Sequence, residues 1–186
     1  MLSDLLQQEK MTSKKKSDYE EIYFFVKIIL VYISWKLIHA YLCRSNESMN
    51  AWQLALVGYE HVYASISCFL LRILGYPAYS TGMYIFIDQT HMTFVAEHCL
   101  AIPAMFVFTF SILLFPGKWK DKAWFIPLGL LFIFCLNLFR IFSLCAIMVH
   151  VDEITFQVYH RFVFLGITYA SILAMLFWWM NKAIKD

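Results

Sequence analysis

The chain has 186 residues, 61% of them hydrophobic and 15% charged, with a formal net charge of +2. A soluble domain is nearer about 45–50% apolar and about 25% charged, so the surplus apolar surface must face lipid, and one membrane domain uses up the length. The small charge, with no basic patch interleaved with exposed aromatics, excludes nucleic acid as a partner.

Residues 1–21 are polar and carry the run Lys14, Lys15, Lys16, which reads as a basic cytoplasmic tail and not as a cleaved signal peptide. Residues 22–186 read as a single membrane-embedded domain. Its first apolar stretch, 22–43, is long enough to span a hydrocarbon core of about 30 Å, with Lys27 and Lys36 reaching the two interfaces. A polar break follows at 46–53. In the stretch 54–74 a helical wheel gathers Gln53, Glu60, His61, Ser65, Ser67 and Arg72 on one side, and Tyr63, Ile66, Phe69, Leu70, Ile73 and Leu74 on the other. This pattern predicts an amphipathic helix lying flat in the outer interface. Gly75, Pro77, Gly82 and Asp88 punctuate two short β-prone runs and predict a small hairpin outside the membrane at 75–95. Three further spans are predicted at 96–115, 123–149 and 156–180.

The fold class is therefore an all-α integral membrane protein with about four transmembrane helices, an outer interfacial helix and a short outer hairpin. With four spans, the lysines at 14–16, at 118, 120 and 122, and at 182 and 185 all fall on one side. The positive-inside rule makes that side cytoplasmic and puts both termini there.

Ionisable side chains inside spans are costly, and by default they mark function. Arg140 lies in the outer half of the span 123–149, with Asn137 three residues earlier on the same helical face. Cys99 and His160 each stand near the outer start of a neighbouring span, so all three reach a similar depth. An imidazole that takes the thiol proton makes a nucleophile of a cysteine, and a guanidinium can lower the thiol pKa or hold an oxyanion. Cys99, Arg140 and His160 together suggest acyl transfer at a peptide bond through a thioester, with Asn137 as an orienting group. His98, beside Cys99, competes with His160 as the base. Cys43, Cys68, Cys135 and Cys145 have no C-x-x-C spacing and read as small buried side chains. His39, His61, His91 and His150 read as polar anchors. No metal or cofactor is expected.

At these residues the chain resembles the exosortase/archaeosortase family of membrane cysteine transpeptidases. The matching pieces are Cys99–Leu100–Ala101–Ile102, then Asn137–Leu138–Phe139–Arg140–Ile141, then His160–Arg161–Phe162, preceded by a Leu-rich helix and outer hairpin. Ala101 stands where the family usually has glycine. The resemblance implies a multi-pass enzyme of a prokaryotic cytoplasmic membrane, with its active site near the outer face. Its substrates would be secreted proteins tethered by a C-terminal transmembrane sorting signal. Cys99 would be the nucleophile, Arg140 the stabiliser of the intermediate and His160 the acid/base. Two other readings stand beside it: a non-enzymatic membrane assembly factor, and a haem- or metal-binding membrane protein using His98, His150 and His160.

Overall fold

A computed structural model describes residues 23, 25–42, 46–88, 91–115 and 117–185. The tail 1–21 and Cys43 lie outside the described residues. The chain is mostly helical: α1 (residues 25–42), α2 (Asn46–Ile73), α3 (Ile102–Leu114), α4 (Trp119–Met148), α5 (Glu153–Val158) and α6 (Phe164–Lys185). A π-turn, Tyr159–Val163, joins α5 to α6.

Among the described residues, four helices are long and apolar enough to cross a membrane: Phe25–Leu42, Ala51–Ile73, Trp119–Met148 and Ile154–Lys182. The number matches the expectation, and the protein is an all-α integral membrane protein. The membership differs, because α2 qualifies by length and composition while α3 has only 13 residues. The first residues of the expected span 96–115 are spent on a 3-10 turn, Glu97–Cys99, and a left-handed residue, Ala101.

The wheel drawn for residues 54–74 does not match the burial of α2. Its buried stripe is Leu56, Glu60, Tyr63, Ala64, Ser67, Cys68 and Leu71, which mixes polar and apolar residues at helical spacing, while Phe69, Ile73 and Leu74 are exposed. The stripe seats Glu60 and Ser67 inward beside Leu56, Tyr63 and Leu71, while Gln53, His61, Ser65 and Arg72 are exposed together with Phe69, Ile73 and Leu74. α2 then stops in a Schellman turn. Gly75 adopts φ +89°, its N–H donates to Arg72 O at 3.0 Å, and the Tyr76 N–H donates to Leu71 O at 3.1 Å.

In place of a hairpin, residues 79–94 form a three-stranded antiparallel sheet in the order β1 (Tyr79–Thr81), β2 (Tyr84–Phe86), β3 (Met92–Phe94). Ile85, Ile87 and Val95 are fully buried on its inner face.

The core is divided in two along α4. One cluster joins α2 (Leu56, Tyr63, Cys68, Leu71), the sheet (Ile85, Val95), Leu100 and the far end of α4 (Ile141, Cys145). The other joins α3 (Phe108, Ile112), the near part of α4 (Phe125, Ile133) and α6 (Ile172, Leu176, Trp179). Lys122 closes the near end of the second cluster. It is buried, and its ammonium donates to Leu113 O at 3.0 Å and also to Phe115 O, meeting carbonyls that the end of α3 leaves open.

Candidate active site

Cys99 is the last residue of the 3-10 turn, where its N–H donates to Ala96 O at 2.7 Å. Leu100, fully buried, pins the turn to the first core cluster. Ala101 then takes φ 55°, which reverses the chain so that α3 starts at Ile102 with Pro103 in its first turn, where a missing N–H costs nothing. The nucleophile candidate thus sits on a tight corner between sheet and helix.

α4 supplies the next two residues. Asn137 is fully buried, and its Nδ2 donates to the Cys99 carbonyl, which ties the corner to the middle of α4. Arg140, one turn farther along, is 7% exposed. Among the described residues, Arg140 Nε and Asn137 Oδ1 are buried with no hydrogen-bond partner. The same holds of buried atoms of Trp52, Tyr63, Ser67, Ser111 and Trp179, so the feature is shared with the core and does not by itself mark the site.

His160 arrives on the π-turn. It lines a cavity of about 270 Å³ together with Cys99, Ile141, Leu144, Cys145 and Arg161, and the strand residues Thr93–Ala96 form another side. The structure therefore brings Cys99 and His160 to one cavity, with Asn137 bonded to the Cys99 backbone and Arg140 close enough for its charge to act on the thiol. The side chain of His98 lies outside what the structure describes.

The Arg140 charge acts on the thiol in the expected sense, and burial is the larger influence. Cys99 lies outside the membrane-crossing helices, and burial pushes its thiol above the ordinary value. A backbone hydrogen bond at Ala96 and the Arg140 charge pull it down, and the Glu60 charge adds to the rise. Desolvation outweighs the guanidinium, so the resting group is a neutral thiol and not a preformed thiolate.

Sequence reasoning missed four features here. Thr93–Ala96 form a wall of the cavity, and only the adjacency of β3 to Cys99 in the chain signals it. Cys145, read as packing, lines the same space. Arg161 gave a signal only as the neighbour of His160. His39, read as an anchor, pairs with Glu97 at 2.6 Å and ties α1 to the nucleophile turn.

Other histidines are engaged elsewhere: His91 with Asp88 at 2.8 Å, and His150 with the Tyr76 hydroxyl at 2.9 Å. Among the described residues, no three of His, Cys, Asp and Glu cluster as a metal site requires.

The family model described as transmembrane exosortase matches residues 49–179, about seven tenths of the chain. No curated protein and no solved structure matches it. The matched range takes in most of α2, the sheet, the Cys99 corner, all of α4 and the π-turn with His160, so every element that builds the cavity lies within it. The chain belongs to the transmembrane exosortase family.

Proposed function

We propose that this protein is a membrane-embedded cysteine peptidase or transpeptidase that cleaves the C-terminal sorting signal of membrane-tethered secreted proteins. The observation that carries the reading is the meeting of Cys99 and His160, far apart in the chain, in one cavity beside a buried, incompletely bonded arginine. In the first half-reaction the Cys99 sulfur attacks the scissile carbonyl carbon while His160 takes the thiol proton. Arg140 stabilises the oxyanion that develops. The C–N bond then breaks, His160 returns the proton to the departing amine, and a thioester remains. An amine or water attacks the thioester and restores the thiol. Asn137 is a positioning residue that fixes the backbone of the nucleophile.

The test is processing of a membrane-anchored substrate in cells that carry single variants. Cys99→Ala abolishes processing, Arg140→Ala lowers it by about 10²–10³-fold, and Cys135→Ala, at an exposed position on α4, leaves it unchanged. Processed substrate in a strain whose only copy is Cys99→Ala would sink the reading. The buried neutral thiol favours a second reading, a helix-binding assembly factor that cleaves nothing. Full complementation by Cys99→Ala would select it.

A further inference from the structure

Among the described residues the sheet has a free edge at β3, and that edge leads into the turn that carries Cys99. In the order β1-β2-β3, β2 is paired on both sides and β3 on one. The register pairs Tyr84 with Phe94, Ile85 with Thr93 and Phe86 with Met92. Just beyond the strands, Ile87 N–H donates to His91 O and Val95 N–H to Met83 O, each at 3.0 Å. In an antiparallel ladder, residues that hydrogen-bond to the partner strand alternate with residues whose peptide groups point away. His91, Thr93 and Val95 therefore face β2, and the N–H and C=O groups of Met92 and Phe94 face the open edge. Those of Ala96 fall on the same side, and the Ala96 carbonyl is taken by the Cys99 N–H.

The cavity adjoins the end of this edge: Thr93 and Phe94 of β3 and the two residues that follow the strand, Val95 and Ala96, line it. Across the cavity stand Phe156, Gln157 and His160. The edge carries neither charge nor proline, and shortness is its one evident protection. β3 reads Met-Thr-Phe, with no lysine and no proline, and Met92 and Phe94 are 51% and 56% exposed. Proteins normally blunt such an edge with charge, proline or a cover.

We infer that the edge of β3 is a peptide-docking site, where the substrate segment adds as a fourth strand on Met92 and Phe94 and lays its scissile carbonyl over Cys99. This deepens the transpeptidase reading and rests on it. Recognition would run through the main chain, with alternate substrate side chains turned towards the α5 wall to set specificity.

The probe is a short peptide of alternating valine and threonine with a C-terminal vinyl sulfone, which alkylates a thiol by conjugate addition. It is compared with variants that carry one N-methyl group on each amide in turn. The full-length protein in detergent is used, and labelling of Cys99 is mapped by peptide. N-methylation is expected to slow labelling about fivefold at every second amide and to leave the amides between unaffected, as loss of one hydrogen bond of about 1 kcal/mol implies. Phe94→Pro removes one outward N–H at an edge position where proline is tolerated. It is expected to slow the unmethylated probe about fivefold relative to Phe94→Ala, which keeps the N–H and loses only the ring, with the iodoacetamide rate of Cys99 in each variant as the reference for the thiol itself.

A methylation scan without period two, equal rates in Phe94→Pro and Phe94→Ala, no peptide labelling where iodoacetamide reacts, or a dimer that Phe94→Pro dissociates would each overturn the docking site. If the scan has period two but Cys99→Ala cells still process substrate, strand docking stands and the enzymatic reading falls. If processing needs Cys99 and the scan is flat, only the docking site falls.

Discussion

Ala101 holds φ 55°, a conformation that costs an L-residue about 1–2 kcal/mol and a glycine far less. The corner after Cys99 requires it, because the chain must leave the 3-10 turn and enter α3 within one residue. Ala101→Gly is therefore expected to stabilise the protein by about 1 kcal/mol once the extra chain entropy of glycine is counted. This would show as a raised unfolding midpoint in detergent, and Ala101→Val would lower it. The departure from the family's glycine was visible in the sequence, but the reason for it was not, since φ is set by the helix that follows. At the neighbouring Cys99 the sign of the pKa shift gives a second prediction. The thiol lies above 9.0, its ordinary value, so alkylation by a small uncharged reagent should keep rising as pH passes 9.0. Arg140→Gln removes a pull in the opposite sense and should move the rise to still higher pH. A rate already level at pH 8, or unmoved in Arg140→Gln, would contradict the assigned balance of burial and charge. The residue types of the site were legible because Arg140 and Asn137 are expensive in an apolar helix. The balance at Cys99 was not, because desolvation depends on Leu100 and the sheet packed around it.

At the scale of elements, α3, α4 and α6 meet at Gly129. A Cβ built there would overlap the ring of Phe108, which is fully buried, and would come within 3.0 Å of the Met175 methyl. Gly129→Ala should cost about 1–3 kcal/mol, the usual range for overpacking, and should lower the unfolding midpoint in detergent. Gly58, with nothing near its Cβ, should accept alanine without loss. The long apolar runs of α1, α4 and α6 were plain in the sequence because lipid demands an unbroken run. α2 was harder. Its polar residues define no single solvent face: Glu60 and Ser67 point into the protein, while Gln53, His61, Ser65 and Arg72 are exposed along with Phe69 and Ile73. A wheel separates polar from apolar and cannot say which side packs when the surroundings are themselves apolar. The sheet was legible only as turn signals, since three-residue strands are too short to show alternation.

For the whole molecule, the division of the core bears on topology. α2 and the sheet share a cluster with Ile141 and Cys145, whereas the Lys118–Lys122 end of α4 lies beyond Phe125 in the other cluster. We propose that the sheet and the Cys99 corner occupy the outer side and the lysine-rich link the cytoplasmic side, as charge bias suggests. In intact cells a membrane-impermeant maleimide should label Tyr79→Cys, at an exposed strand position, and should reach Lys120→Cys only after permeabilisation. The reverse pattern would invert the orientation. The two clusters also bear on cooperativity. α4 is the main element common to both, so each can serve as its own unit of sub-global opening. Cys99 packs against one cluster alone, while α4 carries Asn137 and Arg140 across the seam between them. The unit around Cys99 can then come apart and re-form while the bundle around Phe108 and Trp179 stays folded, so the integrity of the candidate site and that of the apolar bundle are separately stable properties of one chain.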